Sequence, residues 1–190
     1  MHISLRRANI IKSFSRLSAA SLNINRALLA FIFYSLLGWI LETCFILLME
    51  HKFVARGWVQ YGLPLIPLYG VGCLLLAKLL SHQKKHPLIV FSASVCITTM
   101  LELIIGLILT KIFFHALWSY SDLPFSIFGI ISLPVSLGWG LLSLLMIYWI
   151  DPNLKRMINK IPAIPAALAS WSIMVYSAIC SGMYVYNFFN

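Results

Sequence analysis

Acid is the scarcest chemistry in this chain. Only five of its 190 residues are Asp or Glu, against 14 Lys and Arg, and charged residues make up 10% of the whole. Soluble domains carry roughly 25% charged residues, so a surface this poor in charge excludes a solvated globule. Recognisable catalytic motifs are missing too. No HExxH, GxSxG or Walker A sequence occurs, which leaves no signature for a zinc protease, a nucleophile-elbow hydrolase or a nucleotide-binding loop. The expectation is a non-enzymatic chain without metal or cofactor. The four cysteines, Cys44, Cys73, Cys96 and Cys180, are scattered singly, a pattern that fits small apolar residues better than a metal site or redox pair. No N-x-[ST] sequon is present.

What the chain does have is apolar surface. It is 61% hydrophobic and 14% aromatic, with a mean hydropathy of +0.92. Apolar stretches reach about twenty residues without alternating with polar ones, which favours membrane-spanning helices over a β-barrel. The fold class is therefore all-α, a polytopic helical bundle, with five spans expected at 27–49, 62–80, 87–110, 127–150 and 164–186. Together these form a single transmembrane domain over 27–190, preceded by a basic segment over 1–26, with no room for a sizeable soluble domain. Pro64, Pro67, Gly70 and Gly72 crowd the start of the second span. That predicts a kinked or partly re-entrant entry, because helix breakers at membrane depth need neighbouring protein or water to satisfy the backbone.

Orientation follows from the cations. Arg6, Arg7, Lys12, Arg16 and Arg26, then Lys78, Lys84 and Lys85, then Lys155, Arg156 and Lys160 fall in three segments that share one side, leaving Lys52, Arg56 and Lys111 for the other. The positive-inside rule then places the N-terminus inside and the C-terminus outside, in a multi-pass cell-membrane protein. The net charge of +9 does not argue for nucleic acid. These cations flank spans and meet lipid headgroups instead of forming one basic face. Residues 1–26 contain no acid and place Ile3, Ile10, Phe14 and Leu17 loosely on one helical face. An interfacial helix and a mitochondrial presequence share such a composition; a cytoplasmic positive-inside anchor is the preferred reading.

Against this background two glutamates stand out. Glu42 and Glu102 each lie fifteen residues past the start of their expected spans, the first and third, which run in the same direction. At 1.5 Å per residue both sit roughly 6 Å beyond the midpoint toward the outer face. A carboxylate in hydrocarbon is costly, so it faces the bundle interior, finds a partner or marks a pathway. Two at one depth could share a proton or hold a cation. The structural alternative is that each hydrogen-bonds a nearby Tyr, Trp or backbone group, or pairs with Arg56 in the outer loop after span 1.

Other polar groups say less. His115, Trp118, Tyr120 and Asp122 cluster in the outer loop between spans 3 and 4, but an interfacial aromatic belt explains Trp58, Tyr61, Trp118 and Tyr120. His51, His82 and His86 fall at membrane edges as solvated loop residues. Ser35-Leu-Leu-Gly-Trp39 and Ser136-Leu-Gly-Trp139 echo one another; small residues that let helices approach account for this better than an inverted repeat. In the loop at 151–163, Leu154, Met157, Ile158 and Ile161 take helical spacing with cations between them. That pattern describes a short surface helix meeting lipid or a partner protein.

Several fragments in order then resemble one family. They are Tyr34-Ser-Leu-Leu-Gly38-Trp39-Ile-Leu-Glu42, Arg56-Gly57, Pro67-Leu-Tyr69-Gly70, Leu101-Glu102, Trp118-Ser-Tyr120, Gly129 and Trp139-Gly140. Over about residues 30–155 the set resembles the ABC-transporter type IV permease family (CmpB-like), small multi-pass membrane proteins. The resemblance implies a permease subunit, with a separate ATPase docking at 151–163, the only inner loop long enough to be gripped. The chain departs from the family pattern where Thr110 replaces a second Glu, where Ser119 interrupts the Trp-Asp-Tyr element, and at Ser126, Phe128, Ile130 and Ile131.

The expected function is thus a permease-like transport subunit of unknown substrate, partnered by the lipid bilayer, an ATPase or further copies of itself. Its intramembrane site would be Glu42 and Glu102, with Arg56 as counter-charge. A non-transporting scaffold is the alternative, and a lipid-modifying membrane enzyme the third.

Overall fold

A computed structural model describes residues 2–54, 57–112, 114 and 116–189. Helix dominates, in the order α1 (His2–Glu50), α2 (Pro67–Leu80), α3 (Pro87–Ile112), β1 (Ser126–Ile127), β2 (Ile131–Ser132), α4 (Leu133–Leu145), α5 (Asp151–Asn159) and α6 (Ala163–Phe189). A π-helical turn, Met146–Ile150, joins α4 to α5. Among the described residues, four stretches are long and apolar enough to cross a membrane: Ser21–Leu48, Pro87–Ile112, Leu133–Asn159 and Ala163–Asn187. Burial follows the membrane pattern. Ser35, Ser94, Ser136, Ser143, Ser170 and Ser177 are buried while Phe45, Met100, Leu141, Trp149 and Leu168 face outward, as lipid-facing helices require.

The chain divides into two compact units, residues 1–71 with 155–190, and residues 72–154. In the first, α6 packs along α1, and its buried positions include Ala166, Ser170, Ser177 and Cys180. Small residues at these positions let two backbones approach closely in lipid. At 49 residues, α1 is about 73 Å long, well beyond one bilayer. The basic N-terminal segment thus continues the first span as helix; the apolar face expected of Ile3, Ile10, Phe14 and Leu17 lies outside the described side chains. After α1 the chain doubles back. Gly57 has φ +64° and lies so close to Leu65 that a Cβ would be 2.2 Å from its carbonyl oxygen, which only glycine permits. Gly62, at φ +76°, ends the short Val59–Tyr61 turn, and the Ile66 N–H donates to Ser35 O on α1 at 3.1 Å.

In the second unit α3 packs on α4. Val90, Ser94, Glu102 and Gly106 are buried along α3, at spacings of four and eight that keep one face. Ser136, Gly140 and Ser143 are buried on α4, and a Cβ on Gly140 would lie 2.5 Å from the Val95 side chain. The hairpin pairs Ser126 with Ser132 and Ile127 with Ile131, antiparallel, across a turn with positive φ at Phe128 and Gly129.

Three boundaries differ from the sequence expectation. The second expected span, 62–80, is helical only over Pro67–Leu80, 14 residues. That is about 21 Å, short of the roughly 30 Å hydrocarbon core; residues 62–66 are not helical. The fourth span, expected at 127–150, begins at Leu133 because the apolar residues 126–132 form the hairpin, and Pro134 opens the helix. Its far end is also later. The π turn carries the chain into α5 without a break, so most of the expected loop at 151–163 is helix to Asn159.

Candidate functional site

Each unit holds one of the two membrane-helix glutamates, and each glutamate meets a tyrosine. In the first unit the Tyr69 hydroxyl donates to Glu42 Oε2 at 3.1 Å. The sequence makes this contact through two glycines. Gly38 lies one turn before Glu42 on α1, and a Cβ there would fall 2.1 Å from the Tyr69 ring. Gly70, beside Tyr69, lies against α1 in the same way, where a Cβ would meet Ser35 Oγ at 2.3 Å and Phe31 at 2.6 Å. Without a side chain at either position, the first turn of α2 seats directly on α1. Trp39 Nε1 and Thr43 Oγ1, flanking Glu42, are buried with no hydrogen-bond partner among the described residues.

In the second unit the Tyr120 hydroxyl donates to Glu102 Oε1 at 2.8 Å, and Trp139 on α4 is a further hydrogen-bonding neighbour of that carboxylate. Glu102 is only 7% exposed. Its Oε2 is buried without a hydrogen-bond partner among the described residues. The hairpin positions Tyr120. Its N–H donates to Gly129 O at 2.8 Å, and the Trp118 indole donates to Ile130 O at 2.9 Å. Ile130 itself leans on α3 at Gly106, one turn beyond Glu102, where a Cβ would lie 2.2 Å from its Cγ2. Gly106, Thr110, Trp118 and Ile130 also border a cavity of about 10 Å³, room for about one water. Thr110 bonds its own helix, to Gly106 O at 2.8 Å.

Of the residues singled out from sequence, Glu42 falls with Gly38, Tyr69 and Gly70, and Glu102 with Trp118, Tyr120, Gly129 and Trp139. The two glutamates belong to separate units. Arg56 and His115 lie outside the described residues. Gly57 and Pro67 shape the turn into α2, and Tyr34 is buried on α1. Residues 29–183 match the sequence family described as "Putative ABC-transporter type IV". The chain belongs to this family. Membership of the ABC-transporter type IV family and four apolar helices together mark a membrane protein. No curated protein and no solved structure matches the chain.

Reading by residue type missed the partners of three residues, Tyr120, Asp151 and Asn25. Tyr120 fits an aromatic belt by composition, yet it serves a carboxylate. Asp151, read only as a loop residue, is 1% exposed and lies 3.8 Å from Lys84 Nζ, while the Tyr148 hydroxyl donates to Lys84 O at 2.8 Å. An acidic residue in an otherwise basic stretch was the available signal. Asn25, also unremarked, accepts from Trp171 Nε1 at 3.0 Å.

Proposed function

We propose that this chain is a permease-like membrane transport subunit in which Glu102 is the principal intramembrane polar site and Glu42 the second. The observation that carries the reading is the state of the Glu102 carboxylate. Tyr120 and Trp139 hold it in place, while Oε2, buried, lacks a donor among the described residues. A fixed acceptor with an open valence, inside an apolar helix, is suited to take a proton, a cation or a donor group of a substrate. Glu42 is given the second place because it too lies within a helix long and apolar enough to span and accepts from a tyrosine, with Arg56 as counter-charge. The fuller reading has five spans, the N-terminus inside, α2 as the short member, and assembly with further copies or an ATPase at 151–163. In it the chain catalyses no reaction itself.

The test is flux. Purified chain in proteoliposomes, loaded with a pH-sensitive or cation-sensitive dye, is compared with Glu102→Gln. The amide keeps an acceptor for Tyr120 and Trp139, so the variant should fold normally and lose flux. Unaltered flux at equal incorporation sinks the transport reading. Affinity isolation from native membranes tests the ATPase separately, by stoichiometric recovery of an ATP-hydrolysing subunit.

A second reading has its own support. Both glutamates already accept from a tyrosine, which suits a scaffold whose carboxylates tie helices together. On that reading Glu102→Gln changes melting temperature without any flux to lose.

A further inference from the structure

Hydroxyls on a helix often return to a carbonyl one turn back. Thr98, Thr110 and Ser143 do so, at 2.8, 2.8 and 2.7 Å. Four other oxygens of the second unit are spared for something else. Glu102 Oε2, Thr99 Oγ1, Ser126 Oγ and Ser132 Oγ are each buried with no hydrogen-bond partner among the described residues. Ser132 stands at the N-cap of α4 yet makes no side-chain capping bond, although serine is a favoured cap. Spacing and packing bring the four together. Thr99 and Glu102 are neighbours one turn apart on α3. Ser126 pairs with Ser132 in the hairpin, so their side chains share one face. Ile130, immediately before β2, rests on Gly106 of α3, and alternation along the strand turns Ser132 to the same side.

Two contacts fix the level of Ser132 along α3. From Gly106, two extended residues advance about 6.6 Å, equal to four or five helical residues, which reaches the level of Glu102. From the other end, Gly140 lies against Phe91 and Val95. The helical rise from Gly140 back to Ser132 is about 12 Å, which arrives at the level of Leu101 and Glu102. Ser132 therefore stands opposite Glu102, with Ser126 beside it.

One carboxylate and three hydroxyl oxygens are hard ligands, suited to a hard cation. Glu102 is the one acid in the set, which balances a monovalent ion; a divalent ion would leave a buried charge uncompensated. No group of three or more His, Cys, Asp or Glu assembles among the described residues, so a transition metal has no site of its usual kind. A proton would occupy Oε2 alone and leave the three hydroxyls without a role. We propose that Glu102, Thr99, Ser126 and Ser132 form a buried site for a monovalent cation of sodium size. This deepens the reading of Glu102 as an ion-accepting group and rests on it. The N-terminus of α4 carries about half a positive charge, so the full negative charge of Glu102 is needed for the cation to bind there. Tyr120 and Trp139, bonded to the carboxylate, hold it in position.

Thermal melting of the purified full chain in detergent tests this, with sodium chloride exchanged for choline chloride at constant ionic strength. Sodium should raise the melting temperature saturably. Glu102→Gln should abolish that rise. Thr99→Val and Ser132→Ala should each weaken the apparent sodium affinity roughly tenfold or more, the least loss expected when a group supporting a bound metal is removed. Ser121→Ala, which removes an exposed hydroxyl bonded to Ser119, should leave the affinity unchanged. A melting temperature indifferent to sodium overturns the proposal, as does an affinity that survives both Thr99→Val and Ser132→Ala. Melting that follows pH through Glu102 but ignores sodium also overturns it, while leaving Glu102 an ion-accepting group. Sodium binding without flux in proteoliposomes supports the site and sinks transport alone. Should the variants fail to fold, equilibrium binding of radioactive sodium to the unaltered chain decides. Saturable binding of one ion per chain supports the site, and no binding overturns it.

Discussion

Glu42 and Glu102 are the same residue type in similar apolar helices, each accepting from a tyrosine and each one turn from a glycine. They differ in how they are held. Glu42 is half-buried, and its tyrosine comes from the first turn of a short helix seated on glycines. Glu102 is buried, reached by Tyr120 from a hairpin and by Trp139 from the facing helix, with one oxygen still open. One arrangement ties a helix entry to α1. The other holds a carboxylate ready for a further partner. A glutamate in a membrane helix is therefore assigned a role by its donors and burial, since its sequence surroundings look alike in both cases.

The strongest test of that difference is truncation. Glu102→Ala removes the carboxylate to which the half-buried Tyr120 and Trp139 side chains donate, and losing hydrogen bonds to a charged group costs about 1.5–3 kcal/mol each at most. Thermal melting in detergent should show a loss of about 2–4 kcal/mol for Glu102→Ala, clearly larger than for Glu42→Ala. Equal or reversed losses would break the comparison. The glycines come next. Gly38→Ala should cost about 1–3 kcal/mol, the usual range for overpacking, because the new methyl meets the root of the Tyr69 side chain. Gly106→Ala meets mainly the Cγ2 methyl of Ile130, which can turn aside, so its loss should be the smaller of the two in the same assay.

How far these clusters could be read beforehand depends on which physical signal carried them. Composition and run length suffice for apolar helices, and α3 falls within two residues of its expected 87–110. Run length fails where apolar residues serve another purpose. Ile127, Phe128, Ile130 and Ile131 look like the start of a span but form a hairpin on α3, and α2 is apolar enough for a span yet too short. The Ser-Leu-Gly-Trp echo likewise ends at the level of sequence. Gly38 is packed against Tyr69, whereas a Cβ on Gly138 would meet nothing and Gly140 makes the close contact. The two glutamates were legible because charge in hydrocarbon is rare. Their tyrosine partners were not, since Tyr69 is separated from Glu42 by 27 residues and Tyr120 from Glu102 by 18, and only the turn and the hairpin bring them back.

Finer still is the worth of each tyrosine. Tyr120→Phe removes a 2.8 Å bond to a buried carboxylate and should cost about 1.5–3 kcal/mol, the range for hydrogen bonds to charged groups. Tyr69→Phe removes a 3.1 Å bond to a half-buried one and should cost less. If Glu102 is protonated in the working protein, the Tyr120 bond is an ordinary neutral one near 1 kcal/mol, and the two phenylalanine variants converge. Melting of both variants thus reports on the charge of Glu102 without any knowledge of the substrate.

The smallest expected effect lies at the other end of the second unit, where an acidic residue is paired by a cation instead of a phenol. Lys84 is a third exposed and 3.8 Å from Asp151, so screening by solvent limits the pair to under about 1 kcal/mol. Lys84→Gln should lower stability by no more than that, and the difference from the unaltered chain should shrink further in high salt. A loss comparable to that of Glu102→Ala would mean that Asp151 depends on this one lysine. The contrast between carboxylates held by phenols and one held by a surface cation would then collapse, and the π turn that leads into α5 would need the ion pair to form.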